Sequence, residues 1–299
     1  MSKNAYDRRV HRVMDHVRRH LDSALSLDEL AQVAHFSPYH FHRIFKATTG
    51  ETLTRFTQRA RLERACYLMK ASPERELGSI ALEVGFSAQS DFSRVFKRRY
   101  GIPPSAWDRA SRLDDAGLAG HGELDDFEAA LRRARAEGPE PQVRLVTHEA
   151  CRLAYIRMRT PFLGPVLREG YDRLLQWLQA RDVDWRQCRL LGLSWDHFET
   201  TPIDQVHFDF GFAVGADIEA DGEVGIHEFP AVQAADVHCY GPLSRIAVAW
   251  DHLYNEWLPG SRFEPEDMPA IKRFRQRPDE LGWQQWDLDC SIAVRPVRP

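Results

Sequence analysis

Apolar residues divide the chain in two: up to about residue 110 they recur every three or four positions, and beyond residue 142 they alternate. Val10, Val13, Met14, Val17 and Leu21 form the first stripe, and Leu27, Leu30, Ala31 and Ala34 the second. The second stripe begins at Ser26-Leu27-Asp28-Glu29, where a serine and a glutamate three apart make a capping box. Ser37-Pro38 then offers a cap and a first-turn proline, and Phe41, Ile44 and Phe45 continue at helical spacing. A long helix follows from Leu53 to Met69, with Phe56, Ala60 and Leu68 inward and Arg55, Arg59, Arg61 and Arg64 mostly outward. The pattern then repeats: Ala31-Gln32-Val33-Ala34-His35-Phe36-Ser37 reappears as Ala81-Leu82-Glu83-Val84-Gly85-Phe86-Ser87. After one additional residue, Phe41, Arg43, Phe45, Lys46 and Gly50 align with Phe92, Arg94, Phe96, Lys97 and Gly101. Ser87 is expected to cap the last helix of this second copy, whose inner face is Phe92, Val95 and Phe96. Pro103-Pro104-Ser105 is expected to stop the unit and cap a short helix carrying Trp107.

Residues 113–142 are rich in Gly, Asp, Glu and Ala and read as a linker with one helix, Leu124 to Ala136. Past it, Val206 to Val214 alternates most cleanly and predicts a strand. Further strands are expected at Val143–Val146, Leu153–Met158, Leu190–Leu193, Val224–His227, Val232–Cys239 and Trp286–Val294. Two helices interrupt them, one following Thr160-Pro161-Phe162 and the other Gly241-Pro242-Leu243, and each ends in Trp-Leu. The expected fold is therefore multidomain. Residues 1–112 form an all-α double helix-turn-helix domain, and residues 143–299 an α+β domain of two strand-helix-strand-strand repeats, an antiparallel sheet with helices.

Charge sharpens this division. The net charge of −4 conceals 20 Lys+Arg against 12 Asp+Glu in residues 1–112, so the remainder is acidic. Only the first domain suits a polyanion. Five scattered cysteines without a CxxC pair argue for a reducing, cytoplasmic setting and against a disulfide framework or zinc module. No apolar run reaches the ~18 residues of a membrane span, and no signal peptide is visible at the N-terminus.

A helix-turn-helix reader places an apolar side on its own domain and base-reading side chains in the major groove. Arg43 and Arg94 hold matching positions and can bond guanine edges in bidentate fashion; Gln89 can pair with adenine, and Tyr39 and His40 can pack on bases or sugars. Lys46, Lys97, Arg98, Arg55 and Arg59 suit phosphates. The second unit reads Ile80-Ala81, Val84-Gly85-Phe86, Phe92-Ser93-Arg94, Phe96-Lys97 and Gly101-Ile102-Pro103-Pro104. Through these residues the first domain resembles the AraC/XylS family of transcription regulators. The resemblance implies double-stranded DNA as partner, RNA polymerase as a further one, and base readers Tyr39, His42 and Arg43 with Gln89, Ser90, Asp91 and Arg94.

Ala154-Tyr155-Ile156-Arg157, Gly241-Pro242-Leu243, Tyr254-Asn255-Glu256-Trp257-Leu258-Pro259 and the closing strand resemble the GyrI-like (SbmC-type) ligand-binding domain, in the domain order of Rob-like regulators. That resemblance implies an aromatic pocket for a small-molecule effector, drawn from Tyr155, Trp195, Phe210, Tyr240, Tyr254, Glu256, Trp257, Lys272 and Phe274. Relatives often place a glutamate in the pocket for cations. Here Pro269-Ala270-Ile271-Lys272-Arg273-Phe274 puts Lys272 at that point, which leaves a cationic ligand in doubt and an anionic ligand, a neutral one or none open. Glu256 is the alternative acidic group. Ser194-Trp195-Asp196-His197 holds triad residue types, but adjacency in sequence does not make triad geometry. No catalytic, metal or cofactor site is expected. The rival reading is a protein that sequesters a small molecule or binds a partner protein, with DNA binding secondary.

Overall fold

The computed structural model describes residues 3–107, 109, 122–159, 164–196 and 206–297. Six helices build the first domain: α1 (Lys3–Arg19), α2 (Leu27–Val33), α3 (Pro38–Thr49), α4 (Leu53–Ala71), α5 (Leu77–Glu83) and α6 (Gln89–Tyr100). All five residues of the first stripe are buried, four on α1 and Leu21 just beyond its end. The capping box at α2 forms, with Ser26 Oγ accepting from the Glu29 N–H at 3.1 Å. Two apolar clusters result, one for each helix-turn-helix unit. The first gathers α1, α2, α3 and the start of α4 around Phe41, Phe45 and Phe56; the second gathers α5 and α6 on the rest of α4 around Phe92 and Phe96. The turn inside each unit needs a left-handed residue. Gly85 supplies it in the second (φ 89°), where a β-carbon would overlap the Leu21 carbonyl; His35 holds the same bend in the first at φ 53°.

Three details depart from the sequence reading. Ala88, not Ser87, is the N-cap of α6, because the additional residue in the second copy shifts the helix start by one. The segment after Pro103 is a single 3₁₀ turn, Pro104–Ala106; Trp107 lies just beyond it and packs on Phe96. Arg59 does not face outward and cannot reach a phosphate: it is 4% exposed, because α4 is the helix on which the second domain rests.

Helix α7 (Gly122–Glu137) leads to the second domain, whose helices include α8 (Gly164–Gln179) and α9 (Leu243–Asp251), and lies against α9. Residues 113–121, the Thr160-Pro161-Phe162 turn and His197 lie outside the described residues. The strands are β1 (Val143–His148), β2 (Cys151–Arg159), β3 (Leu190–Ser194), β4 (His207–Ala213), β5 (Gly225–Phe229), β6 (Val232–Gly241), β7 (Phe263–Pro265), β8 (Ala270–Phe274) and β9 (Trp286–Pro296). All but β7 run in the order β1-β6-β9-β8-β3-β4-β2-β5, every pair antiparallel, and β7 adds to β9. The order is palindromic about the β8–β3 pair, so β2-α8-β3-β4 and β6-α9-β8-β9 are the two strand-helix-strand-strand repeats. Short β7 and β8 carry no alternation long enough to read in sequence. Helix α8 (Gly164–Gln179) covers β2 and β4. Helix α9 (Leu243–Asp251), prolonged by a π-helical turn at His252–Trp257, covers β6 and β9. The central strands β3 and β8 are left between the two helices. The other face of the sheet receives α1 and α4. Among the described residues no helix is long and apolar enough to cross a membrane.

Candidate functional site

The expected DNA-reading residues sit together on the outer faces of α3 and α6. Proline at its first position and phenylalanines at Phe41 and Phe45 fix how α3 rolls onto its core, so Tyr39, His40, His42, Arg43 and Lys46 are exposed, Tyr39 by 71%. Phe92, Val95 and Phe96 orient α6 likewise, leaving Gln89, Ser90, Arg94, Lys97 and Arg98 exposed and Asp91 half-buried. Three of these side chains already have local partners. His40 Nδ1 lies 3.1 Å from Ser37 Oγ, the Arg94 guanidinium folds back onto Asp91, and Arg98 donates to Gln58 on α4 at 3.0 Å. The Arg94–Asp91 pair is solvent-exposed and therefore weak, so the guanidinium is available to a base edge.

On the opposite side of this domain lies a second constellation that the sequence reading missed. The polar positions that alternate with Phe208, Phe210 and Phe212 along β4 do not face solvent: His207 and Asp209 are buried against the first domain. Arg157 on β2 donates to Asp209 through Nε and Nη2, both at 2.7 Å, and through Nη1 lies 2.8 Å from Asp15 on α1. Tyr155 donates to Asp15 at 3.2 Å, and Trp195 Nε1 to Asp209 at 2.7 Å. Asp196, just past β3, receives Arg18 of α1 and, at 2.9 Å, Arg59 of α4, and also accepts from His207 N at 2.8 Å. Arg59 meets Glu51 at 2.8 Å and Glu63 at 2.9 Å as well. Burial opposes ionisation of Asp196, yet Arg18, Arg59 and His207 overcome it and hold its pKa well below the usual carboxylate range. Asp209 is held low in the same way, against burial, by Arg157 and His227. One clue was available in sequence: charged residues alternating with phenylalanines in a strand suit a second buried face as well as a wet one.

This buried network gives the fold a pH dependence. Burial lowers the pKa of His207, with Asp196 opposing, so the ring folds neutral. Below the unfolded histidine value of about 6.5 the unfolded chain takes a proton that the folded chain resists, and stability falls as pH drops. Urea unfolding from pH 7.5 to 5.5 is expected to show this loss, and His207→Gln to reduce it, leaving the part due to His11 of α1, whose pKa burial also lowers. An unchanged slope in the variant would assign the titration elsewhere.

The expected effector residues fall into separate places. Tyr155 and Trp195 belong to the interdomain network. Phe210 is core beneath α8, edge-on to Tyr171. Tyr240 is 62% exposed. Tyr254 stacks on Tyr67 of α4 at 4.8 Å, joining the domains, and Trp257 stacks on Phe263 at 5.9 Å. Glu256 is on the outer face of its helix, bonded to Arg135 of α7 and 2.7 Å from His252 Nδ1. Lys272 and Phe274 lie together on the helix-bearing face of the sheet between α8 and α9, where Phe274 also meets Phe210 at 5.5 Å between ring centroids. Lys272 Nζ donates to Ser194 Oγ at 2.8 Å and lies 4.8 Å from the Phe208 ring and 5.4 Å from that of Trp250. Ser194, Lys272, Phe274 and Trp286 are half-buried along this groove.

A family described as a helix-turn-helix domain matches residues 30–110, and one described as a GyrI-like small molecule binding domain matches residues 141–295. The chain is 31% identical over 102 residues to an uncharacterized HTH-type transcriptional regulator, YbfP of Bacillus subtilis, covering 34% of each chain. It is 32% identical over 108 residues to the transcriptional regulator Rob of Salmonella typhimurium, covering 36% of this chain and 37% of that one. The right origin-binding protein of Escherichia coli is 31% identical over 108 residues, again 36% and 37% of the two chains. The chain thus spans about a third of the length of these curated relatives. A solved complex of the regulator EcmrR with DNA aligns to 91% of this chain and 99% of its own at 13% identity, with a TM-score of 0.46. The chain belongs to the GyrI-like small-molecule-binding family, and it carries an AraC-type helix-turn-helix domain ahead of that module.

Proposed function

We propose that this chain is a cytoplasmic, sequence-specific transcription regulator. Residues 1–112 read double-stranded DNA, 113–142 link, and 143–299 sense a small-molecule effector, with RNA polymerase as a further partner and no enzymatic activity of its own. The observation that carries this reading is the pair of equivalent recognition helices, each with an apolar side locked into its own core and Arg43 or Arg94 exposed on the other. Arg43 and Arg94 take guanine edges, and Lys46, Lys97 and Arg98 take flanking phosphates.

The effector reading is supported by the path between the two faces of the sheet. Ser194 touches the groove lysine, Trp195 packs between Arg18 and Arg157 at 5.4 and 5.3 Å, and Asp196 grips α1 and α4. Helix α4 joins the two recognition units. A shift at the end of β3 therefore acts on the element that sets their relative placement.

Phosphate contacts give this proposal its first test. Affinity for duplex DNA is expected to fall about 10³-fold between 50 and 200 mM salt, and Lys97→Ala to reduce the logarithmic slope by about one. Salt-independent retention of DNA would contradict the reading.

A further inference from the structure

We propose that the groove around Lys272 is an anion-binding subsite that takes a small aromatic monocarboxylate, the lysine receiving the carboxylate and the neighbouring rings the hydrocarbon. The assignment rests on the effector reading above and names the ligand class.

Three observations lead to it. The first is a difference in how buried charge is treated on the two faces of one sheet. Facing the DNA-binding domain, Arg157 and Arg59 each meet carboxylates directly. Lys272, on the other face, meets no carboxylate among the described residues. One hydroxyl and two ring faces surround its ammonium, and the titratable groups whose charge reaches it are the thiols of Cys290 on β9 and Cys239 on β6. An ammonium has three donors, and one oxygen acceptor leaves the others to π faces, which are weak substitutes for an anion.

The second is room. The palindromic sheet puts β8 and β3 between the helices, and the residue directly across from Lys272 is Gly192. A β-carbon there would overlap the Phe208 ring and come within 3.2 Å of Phe274, so glycine lets both rings lie down against the floor. The third is lining. Phe274 and Trp286, 6.2 Å apart between centroids, remain half-buried beside the lysine, and Trp250 and Phe208 flank it from opposite repeats. An aromatic acid satisfies both chemistries at once: its carboxylate completes the ammonium's shell in a site with little water, and its ring continues the aromatic wall.

Burial also lowers the pKa of Lys272 to about 8. A carboxylate binds the protonated form, so its affinity is flat below about pH 8 and declines above it.

The test uses the full chain and three probes of one shape, 2-naphthoate, 2-naphthylmethanol and 2-naphthylmethylammonium, followed by calorimetry at neutral pH and again above pH 8. Naphthoate is expected to bind most tightly, to lose at least tenfold in Lys272→Met, and to keep its affinity above pH 8 in Lys272→Arg, whose guanidinium stays charged. The arginine variant separates lost charge from lost fold. Naphthoate binding that ignores Lys272→Met would overturn the subsite, as would preference for the alcohol or the ammonium. If either of those two binds and alters DNA affinity, the anion assignment falls while the effector reading stands. If none of the three binds, the subsite falls, and the effector reading is then decided by DNA affinity in the presence of other ligands.

Discussion

Replacing Asp196 by asparagine is expected to cost about 3–5 kcal/mol, because it removes the one carboxylate that two buried arginines from different helices share. Arg59 would retain Glu51 and Glu63, but Arg18 would keep, among the described residues, the ring faces of Phe56 and Trp195. For a chain of this size that loss corresponds to a fall in Tm on the order of 10 °C. The double variant Arg18→Met with Asp196→Asn should be less destabilised than the sum of the single changes, since each single change strands its partner's charge or hydrogen bonds. Calorimetry and urea unfolding read both effects. A cost below about 1 kcal/mol would mean the network is as weak as a surface ion pair and does not bind α1 and α4 to the second domain.

The other large effect falls on DNA recognition. Arg43→Ala and Arg94→Ala are each expected to weaken a selected site by about 1–3 kcal/mol, roughly fivefold to more than a hundredfold, and to leave scrambled duplex nearly unaffected. Asp91→Ala should also lower discrimination, since it frees Arg94 from its intrahelical partner and loosens its aim. Fluorescence anisotropy against both duplexes measures the two quantities together. Equal losses on selected and scrambled DNA would make the arginines phosphate contacts only.

How far sequence alone could reach differs between the domains for a physical reason. In the first, helix cores are local: Phe41 and Phe45, or Phe92 and Phe96, face inward on the same helix that presents Arg43 or Arg94, so periodicity reveals both sides at once. The repeat supplied a second reading of the same geometry, and only its one-residue insertion misplaced the cap at Ser87. In the second domain the core is assembled from strands far apart in sequence. The long alternating strands and both helices were legible, but β8 has five residues, and Lys272 and Arg273 at its middle conceal that it is central. Alternation shows that a strand has two kinds of face; it does not say that the polar face is dry. Arg59, Arg157, Asp196 and Asp209 were unreadable for that reason, since the partners that tie them across the fold lie 52, 137 and 178 residues away. The aromatic residues expected to form one pocket were likewise distributed among core, interface and groove, because aromatic content alone does not state which layer a ring joins.

The central claim is that residues 1–112 read a DNA sequence through two recognition helices. Duplexes selected by the full chain from random-sequence DNA, then competed against their scrambled counterparts at 150 mM salt, test it most directly. The expected result is a preference of at least 10³-fold for the selected duplex, with two conserved half-sites about one helical turn apart, and loss of one half-site's contribution in Arg43→Ala. Equal affinity for selected and scrambled duplexes, or a single conserved half-site indifferent to both Arg43 and Arg94, would contradict it.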